Sequence, residues 1–136
     1  MKAKLSVALT LALAIHVHAG SATWNLNPIN KDWNTASNWT PATVPNGPAD
    51  TATFEISNKH VVSVTNNTEV NEIIFNPGAS AFSISSSTTA DGIVPQLAIS
   101  GRGVTNNSGV EQNFVAVGGR SILPAGRSLW QWKSGH

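Results

Sequence analysis

The chain leads into its first strand-like run with Trp33-Asn34-Thr35-Ala36-Ser37-Asn38-Trp39-Thr40-Pro41 and, after two further residues, Val44-Pro45-Asn46-Gly47-Pro48-Ala49-Asp50-Thr51-Ala52-Thr53-Phe54. Proline, glycine and asparagine mark turns in this stretch. From Thr51 onward apolar and polar residues alternate, which is the period of a half-buried strand. The alternation predicts that Ala52, Phe54 and Ile56 face one interior. We therefore expect an all-β protein that begins with a tryptophan-rich turn segment.

The rest of the chain also has the composition of a strand-rich protein. Only 11% of its residues are charged, which is too few for the Glu, Lys and Arg that cover exposed helix faces. Short β-branched runs between turn signals predict strands at Thr51–Ile56, Val61–Thr65, Val70–Phe75, Ala81–Ser85, Leu97–Ser100 and Asn113–Val117. In the fourth of these strands the alternation places Phe82 and Ile84 inward.

Two all-β architectures fit this pattern. A short parallel β-helix stacks short strands joined by turns, whereas a β-sandwich also shows evenly spaced, alternating strands. The β-helix is favoured by a near-repeat, Val64-Thr65-Asn66-Asn67-Thr68 and Val104-Thr105-Asn106-Asn107-Ser108. Stacked asparagines at a repeated turn would hydrogen-bond along a ladder. We expect a β-helix with a tryptophan-rich N-terminal cap, and the β-sandwich is the alternative.

Residues 1–19 have the organisation of a secretory signal peptide. Lys2 and Lys4 precede an apolar run, Leu5–Ile15, and small residues at the end of the segment predict cleavage after Ala19. The apolar run is shorter than the roughly 20 residues that span a bilayer. We therefore expect a secreted or cell-surface protein without a stable membrane span after signal removal.

The chain that remains is nearly neutral and has no cysteine. Six Lys and Arg are left against seven Asp and Glu, which offers no basic surface for nucleic acid or for an anionic membrane. The absence of cysteine excludes disulfides, thiolate catalysis and thiolate metal sites.

Several motifs after the signal peptide resemble a known family. They are the tryptophan pair around Asn38, the Val44-Pro45 turn, Gly47 followed by Asp50-Thr51-Ala52-Thr53-Phe54, the run Val70-Asn71-Glu72-Ile73-Ile74-Phe75-Asn76, and Ile99-Ser100-Gly101-Arg102-Gly103-Val104-Thr105-Asn106-Asn107-Ser108-Gly109. As a set they are similar to bacterial exported and surface proteins of the autotransporter-associated β-strand repeat type. The resemblance implies a non-enzymatic, structural or adhesive β-helix segment, the N-terminal piece of a larger surface protein. It also implies partners such as surface polysaccharide or host and cell-surface components.

These observations divide the chain into four parts: a signal peptide (1–19), a cap rich in Trp, Asn and Pro (20–50), a strand-repeat region forming an incomplete β-helix (51–118) and an atypical tail (119–136). The tail departs from the family because basic residues and a second aromatic pair, Trp130 and Trp132, appear in it abruptly. A truncated or frame-shifted reading frame would produce such a tail. Since it does not look like a further strand repeat, we expect an unpaired sheet edge and self-association through it.

Trp24, Trp33 and Trp39 are the candidate functional residues. An indole has a flat apolar face and a polar N–H, so it can stack on a sugar or cover a hydrophobic core. The six-residue spacing of Trp33 and Trp39 allows a tight loop to bring both onto one apolar end. We expect the three to cap the first coil. The alternative is a carbohydrate-binding module, or the remnant of a polysaccharide-active enzyme.

No catalytic residue, metal site or cofactor is predicted. Glycoside hydrolysis needs two carboxylates about 5–9.5 Å apart, but Glu55 should face solvent, and nothing brings Glu69 and Glu72 face to face. Asp50 is expected to bond its own backbone in a turn. The histidines that follow the signal peptide are far apart and lack acidic ligands at metal spacing.

Overall fold

The computed structural model describes residues 20–116 together with the backbone of 119–123 and 128–129. The predicted signal peptide therefore lies outside the described residues. One short 3₁₀ turn, Ala36–Asn38, is present. The strands of the described part are β1 (Ala22–Trp24), β2 (Trp39–Thr40), β3 (Gly47–Phe54), β4 (Val61–Val64), β5 (Thr68–Phe75), β6 (Ser83–Ser86), β7 (Leu97–Asn106), β8 (Gln112–Ala116), β9 (Gly119–Leu123) and β10 (Ser128–Leu129). The predicted all-β class is confirmed.

The strands form two sheets, and from β3 to β8 the chain alternates between them. The six-stranded sheet has the order β10-β7-β5-β3-β1-β2, and the four-stranded sheet has the order β4-β6-β8-β9. Within the first sheet β1, β3, β5 and β7 are parallel neighbours. Within the second sheet β4, β6 and β8 are parallel neighbours. The antiparallel pairs involve β2, β9 and β10, which lie at the outer edges.

The register of the parallel strands aligns their inward side chains, so that one face of each sheet packs into a single apolar core. Ala52 of β3 pairs with Ile73 of β5, and Val62, Ile84 and Phe114 share a rung of the second sheet. All five side chains are buried in the same cluster. Because successive side chains of a strand point to opposite faces, this pairing keeps the inward positions of neighbouring strands aligned.

The six strands predicted from alternation coincide with observed strands, and most inward positions are confirmed. Ala52, Phe54 and Phe82 are fully buried, and Ile84 is nearly so. Ile56, however, is 65% exposed, so its predicted inward orientation is wrong. The reason is that β3 ends at Phe54 and the chain then turns, so the two-residue period no longer applies.

The asparagine near-repeat does not stack, and that prediction is wrong. Asn66 follows β4, whereas Asn106 ends β7 in the other sheet and pairs with Phe75. A strand end followed by an Asn-rich turn occurs in both sheets. The two similar sequences therefore lie at the ends of strands in different sheets and cannot stack on each other. A different amide series links successive turns of the six-stranded sheet: Asn46 Oδ1 accepts the N–H of Glu69 at 2.9 Å. Asn67 Oδ1 accepts the N–H of Gln96 at 2.9 Å.

A bulge on β7 brings Gly101 close to Asn71. Val70 pairs with Ile99 and Glu72 with Gly103, so that Asn71 alone lies opposite three residues of β7. A Cβ on Gly101 would lie 1.8 Å from Asn71 Oδ1 and 3.0 Å from the Asn71 carbonyl oxygen. Because 1.8 Å is far below van der Waals contact, a larger residue at position 101 would force the Asn71 side chain to move.

The tail contributes two strands to the outer edges of the sheets. β9 pairs antiparallel with β8 from Gln112 to Ala116 and is the outermost strand of the four-stranded sheet. β10 pairs antiparallel with β7 at Val104 and Thr105 and is the outermost strand of the six-stranded sheet. Self-association through a sheet edge stays a prediction.

Candidate functional site

The three predicted tryptophans meet in one buried cluster. Trp24 is 1%, Trp33 0% and Trp39 1% exposed. The ring centroid of Trp39 lies 5.0 Å from that of Trp24 and 5.0 Å from that of Trp33, with edge-on geometry in both pairs. Phe54 of β3 contacts all three rings, at 5.5 Å from Trp39. Edge-to-face packing of this kind is the favourable arrangement for aromatic quadrupoles.

Each indole N–H of the cluster donates to a backbone carbonyl. Trp24 Nε1 donates to Lys59 O at 2.9 Å, and Trp33 Nε1 to Pro45 O at 3.0 Å. Trp39 Nε1 donates to Trp33 O at 2.7 Å. These bonds satisfy polar groups that burial would otherwise leave without a partner, and they fix the orientation of each ring.

A buried asparagine holds the loop that carries the tryptophans. Asn38 is 0% exposed and donates from Nδ2 to Asn30 Oδ1 and to Asp32 O, both at 2.7 Å. Its Oδ1 accepts the backbone N–H of Asn30 at 3.3 Å. One amide thus ties both sides of the loop together and positions Trp39, its neighbour in sequence.

A second amide joins this loop to the turn between β4 and β5. Asn34 Oδ1 accepts the backbone N–H groups of Thr65 and Asn66, each at 3.0 Å. Asn34 Nδ2 donates to Thr68 Oγ1 at 3.0 Å. Asp32 Oδ1 also accepts the Thr65 hydroxyl at 2.7 Å. The polar side chains therefore anchor the cap on the first turn of the strand region.

Residues 22–40 extend both sheets, beside β3 in one sheet and beside β4 in the other. β1 lies parallel to β3, and Asp32 forms a parallel bridge with Ser63 of β4. Ser63 donates its N–H to Lys31 O at 2.8 Å and accepts the Trp33 N–H at 2.9 Å. β2 then pairs antiparallel with β1. Residues 22–40 thus supply one strand segment to each sheet and then reverse direction.

This geometry bears directly on the two predicted roles of the tryptophans. A sugar-binding platform presents an indole face to solvent, whereas all three indoles are enclosed and their N–H groups are occupied. The arrangement can stabilise the end of a hydrophobic core, and a sugar would reach the rings only after the loop had moved.

Three of the acidic residues accept hydrogen bonds at separate places. Glu55 is exposed, as predicted, and its Oε1 accepts from Asn76 Nδ2 at 2.9 Å. Glu72 accepts the Thr51 hydroxyl at 3.0 Å. Asp50 lies in β3 and not in a turn, and it accepts the backbone N–H of Asn46, four residues earlier, at 3.1 Å. Among residues 20–116 and the two described tail strands, no group of three or more His, Asp or Glu could hold a metal ion.

A buried polar series that the sequence did not reveal joins loops that are distant in sequence. Gln112 is 0% exposed, and its Oε1 accepts the N–H of Phe82 at 2.7 Å. Its Nε2 donates to Ser80 O at 3.0 Å. Ser80 Oγ accepts the N–H of Ser57 at 3.0 Å, and Ser57 Oγ donates to Asn25 O at 2.9 Å. These partners lie 23 to 32 residues apart, so no local signal could have identified them.

Comparison with family models, with curated proteins and with solved structures finds no match to this chain. Among the residues that the structure describes, no helix is long and apolar enough to cross a membrane.

Proposed function

We propose that the described strands form a short parallel β-helix, with the tryptophan loop as its N-terminal cap. The parallel neighbours β3-β5-β7 and β4-β6-β8, visited alternately along the chain, support this architecture. Sandwiches are built mainly from antiparallel pairs, whereas stacked coils produce parallel neighbours in each sheet. The polar series from Asn25 through Ser57 and Ser80 to Gln112 supports it further, because each bond joins one coil to the next.

Engineered cysteine pairs test the architecture, since the chain has no cysteine of its own. Thr53 pairs with Ile74 across β3 and β5, which places the two Cα atoms within disulfide range. The Thr53→Cys/Ile74→Cys variant should oxidise readily. The control pair, Thr53→Cys/Val115→Cys, joins different sheets and should remain reduced. Equal oxidation of both pairs, or of the control alone, would contradict the stacking.

The function we propose is that of a non-enzymatic, exported structural or adhesive segment, the N-terminal piece of a larger bacterial surface protein. The observation that carries this proposal is the repetitive stack itself. Its polar residues bond one coil to another, and Asp32, Glu55 and Glu72 accept hydrogen bonds from side chains in other turns and strands. The signal-like residues 1–19 and the resemblance of the strand region to exported repeat proteins support the same conclusion.

Export and adhesion are tested together in bacteria that produce the full-length tagged chain. The chain should be recovered outside the cytoplasm with Gly20 as its first residue, and surface-exposed chain should be sensitive to added protease. Retention of these cells on surfaces coated with polysaccharide or matrix protein should exceed that of cells that do not produce the chain. Unprocessed chain in the cytoplasm would contradict export. Equal retention of the two kinds of cell would contradict adhesion, and the structural role would then be the one that remains.

Carbohydrate binding through Trp24, Trp33 and Trp39 is not favoured by any contact of the described residues. A glycan array probed with folded full-length chain provides the check. Binding that disappears in a Trp39→Phe variant that is still folded would restore the carbohydrate role.

A further inference from the structure

Between β4 and β7 the chain crosses twice from the four-stranded to the six-stranded sheet, by connections of different length. The first connection consists of the three residues 65–67 and the second of the ten residues 87–96. Both start at the paired ends of β4 and β6 and both finish at the paired starts of β5 and β7. Three residues therefore span this distance, and the other seven residues of the second connection are not needed to close it.

The two ends of the longer connection are bonded to its shorter neighbour. At the start, the N–H of Ser87 donates to Val64 O at 3.1 Å. At the finish, the carbonyl of Gln96 accepts the N–H of Thr68 at 2.8 Å. These two bonds hold the base of the connection in line with the turn beside it, so the extra residues lie beyond the base.

Residues 88–94 form this projecting loop. All of them except Thr89 are exposed, and Ile93 is 63% exposed. Within the described part of the chain, the hydrogen bonds of this loop are internal. The N–H of Thr89 donates to Ile93 O at 2.8 Å, the N–H of Gly92 donates to Thr89 O at 2.9 Å, and the Thr89 hydroxyl also bonds Ile93. The loop can therefore open by itself while the sheets stay paired.

We propose that the Gly92–Ile93 peptide bond is a site of limited proteolysis, cut by an endopeptidase that takes an aliphatic residue on the carboxyl side of the bond. Exposed loop tips with small residues are preferred sites of nicking. Gly92 leaves the peptide bond open to approach, and the exposed Ile93 side chain fits an apolar pocket. Water adds across the bond, leaving a carboxylate on Gly92 and an ammonium group on Ile93.

The Gly109–Val110 bond shows why the projecting loop is the preferred site. It has the same residue types, and Val110 is 42% exposed, but it lies in the short connection 107–111 between β7 and β8. Val110 O accepts from Asn106 Nδ2 at 2.8 Å, and Asn106 is a fully buried residue of β7. Proteolysis of a folded protein follows the population of locally opened chain. Opening here breaks a bond to a core strand, so this bond should resist the same enzyme.

The cut leaves the protein assembled as two pieces. β7 lies on the carboxyl side of the cut and pairs with β5 from Leu97 to Asn106, and β8 pairs with β6. Leu97 and Phe114 belong to the same buried cluster as Phe54 and Phe75. These contacts join the two pieces and do not involve the projecting loop. The inference rests on this loop and does not depend on the proposed function.

Digestion of the folded full-length chain with a small amount of thermolysin, which cuts before aliphatic residues, tests the proposal. Among cuts between residues 20 and 116, the one that produces a fragment beginning with Ile93 should appear first in N-terminal sequencing and mass spectrometry. The two pieces should elute together in size-exclusion chromatography and separate in urea. Earlier cutting at Gly109–Val110, or at any other bond between residues 20 and 116, would overturn the proposal. Separation of the pieces without denaturant would overturn it as well.

A matched pair of variants identifies the side chain that the enzyme reads. Ile93→Asp places a charge where the enzyme takes an aliphatic group and should slow cutting of this bond by at least about tenfold. Ile29→Asp is the control, because Ile29 is 68% exposed but lies in another loop, and it should be cut at Gly92–Ile93 like the wild type. Far-UV circular dichroism verifies that both are folded. Equal rates for Ile93→Asp and the wild type would contradict the assignment.

Discussion

Replacement of Trp39 by alanine is the most direct test of the cap. The Trp39 side chain is 1% exposed, and it contacts Trp24 and Trp33 at centroid distances of 5.0 Å. Loss of a buried large aromatic side chain costs about 3–5 kcal/mol. The Trp39 N–H donates to Trp33 O at 2.7 Å, and the carbonyl left without that donor adds about 1 kcal/mol. We therefore expect a loss of about 4–6 kcal/mol in the free energy of unfolding.

Urea denaturation of the full-length chain, followed by far-UV circular dichroism, measures this loss without relying on tryptophan fluorescence. Because total stabilities of domains are commonly about 5–15 kcal/mol, Trp39→Ala can unfold the chain outright. Trp39→Phe therefore accompanies it, since a retained ring limits the loss to about 1–3 kcal/mol. Ile29→Ala is the control, because Ile29 is 68% exposed and should change stability by no more than about 0.5 kcal/mol.

The reasoning is refuted if folded Trp39→Ala loses less than about 1 kcal/mol, the size of an ordinary surface effect. That outcome would mean that the indole contributes little to the core and that the loop opens in solution. Loss of glycan binding in the same variant would then favour the carbohydrate-binding alternative.

Two further substitutions test contacts between segments that are distant in sequence. Gln112→Leu leaves the buried N–H of Phe82 without its acceptor, so a loss of about 2–4 kcal/mol is expected by urea denaturation; Gln96→Leu, at an exposed position, should have little effect, and equal losses would contradict the role of the buried amide. Gly101→Ala should destabilise the chain by about 1–3 kcal/mol because of the clash with Asn71. Adding Asn71→Ala should recover part of that loss in a double-mutant cycle, and strict additivity would refute the clash.

The candidate site was partly predictable. The clustering of Trp33 and Trp39 followed from their short spacing, and Trp24 joined them as expected. The asparagines that hold the loop were not identified as such, because Asn34 and Asn38 act through partners in other turns. Their role depends on which backbone groups lie near them in the tertiary structure. The sequence around an asparagine in a turn does not predict which group its amide will bond.

Local alternation determined the strands and most of their inward residues, because the two-residue period is a property of a single strand. It therefore identified Phe54 and Phe82 without any knowledge of their neighbours. Stacking decided the rest. It brought Asn46 and Asn67 into the amide series in place of Asn66 and Asn106, since these hydrogen bonds depend on register between segments more than 20 residues apart. The tertiary structure likewise enclosed the three tryptophans in one buried cluster, because burial is a property of the assembled strands.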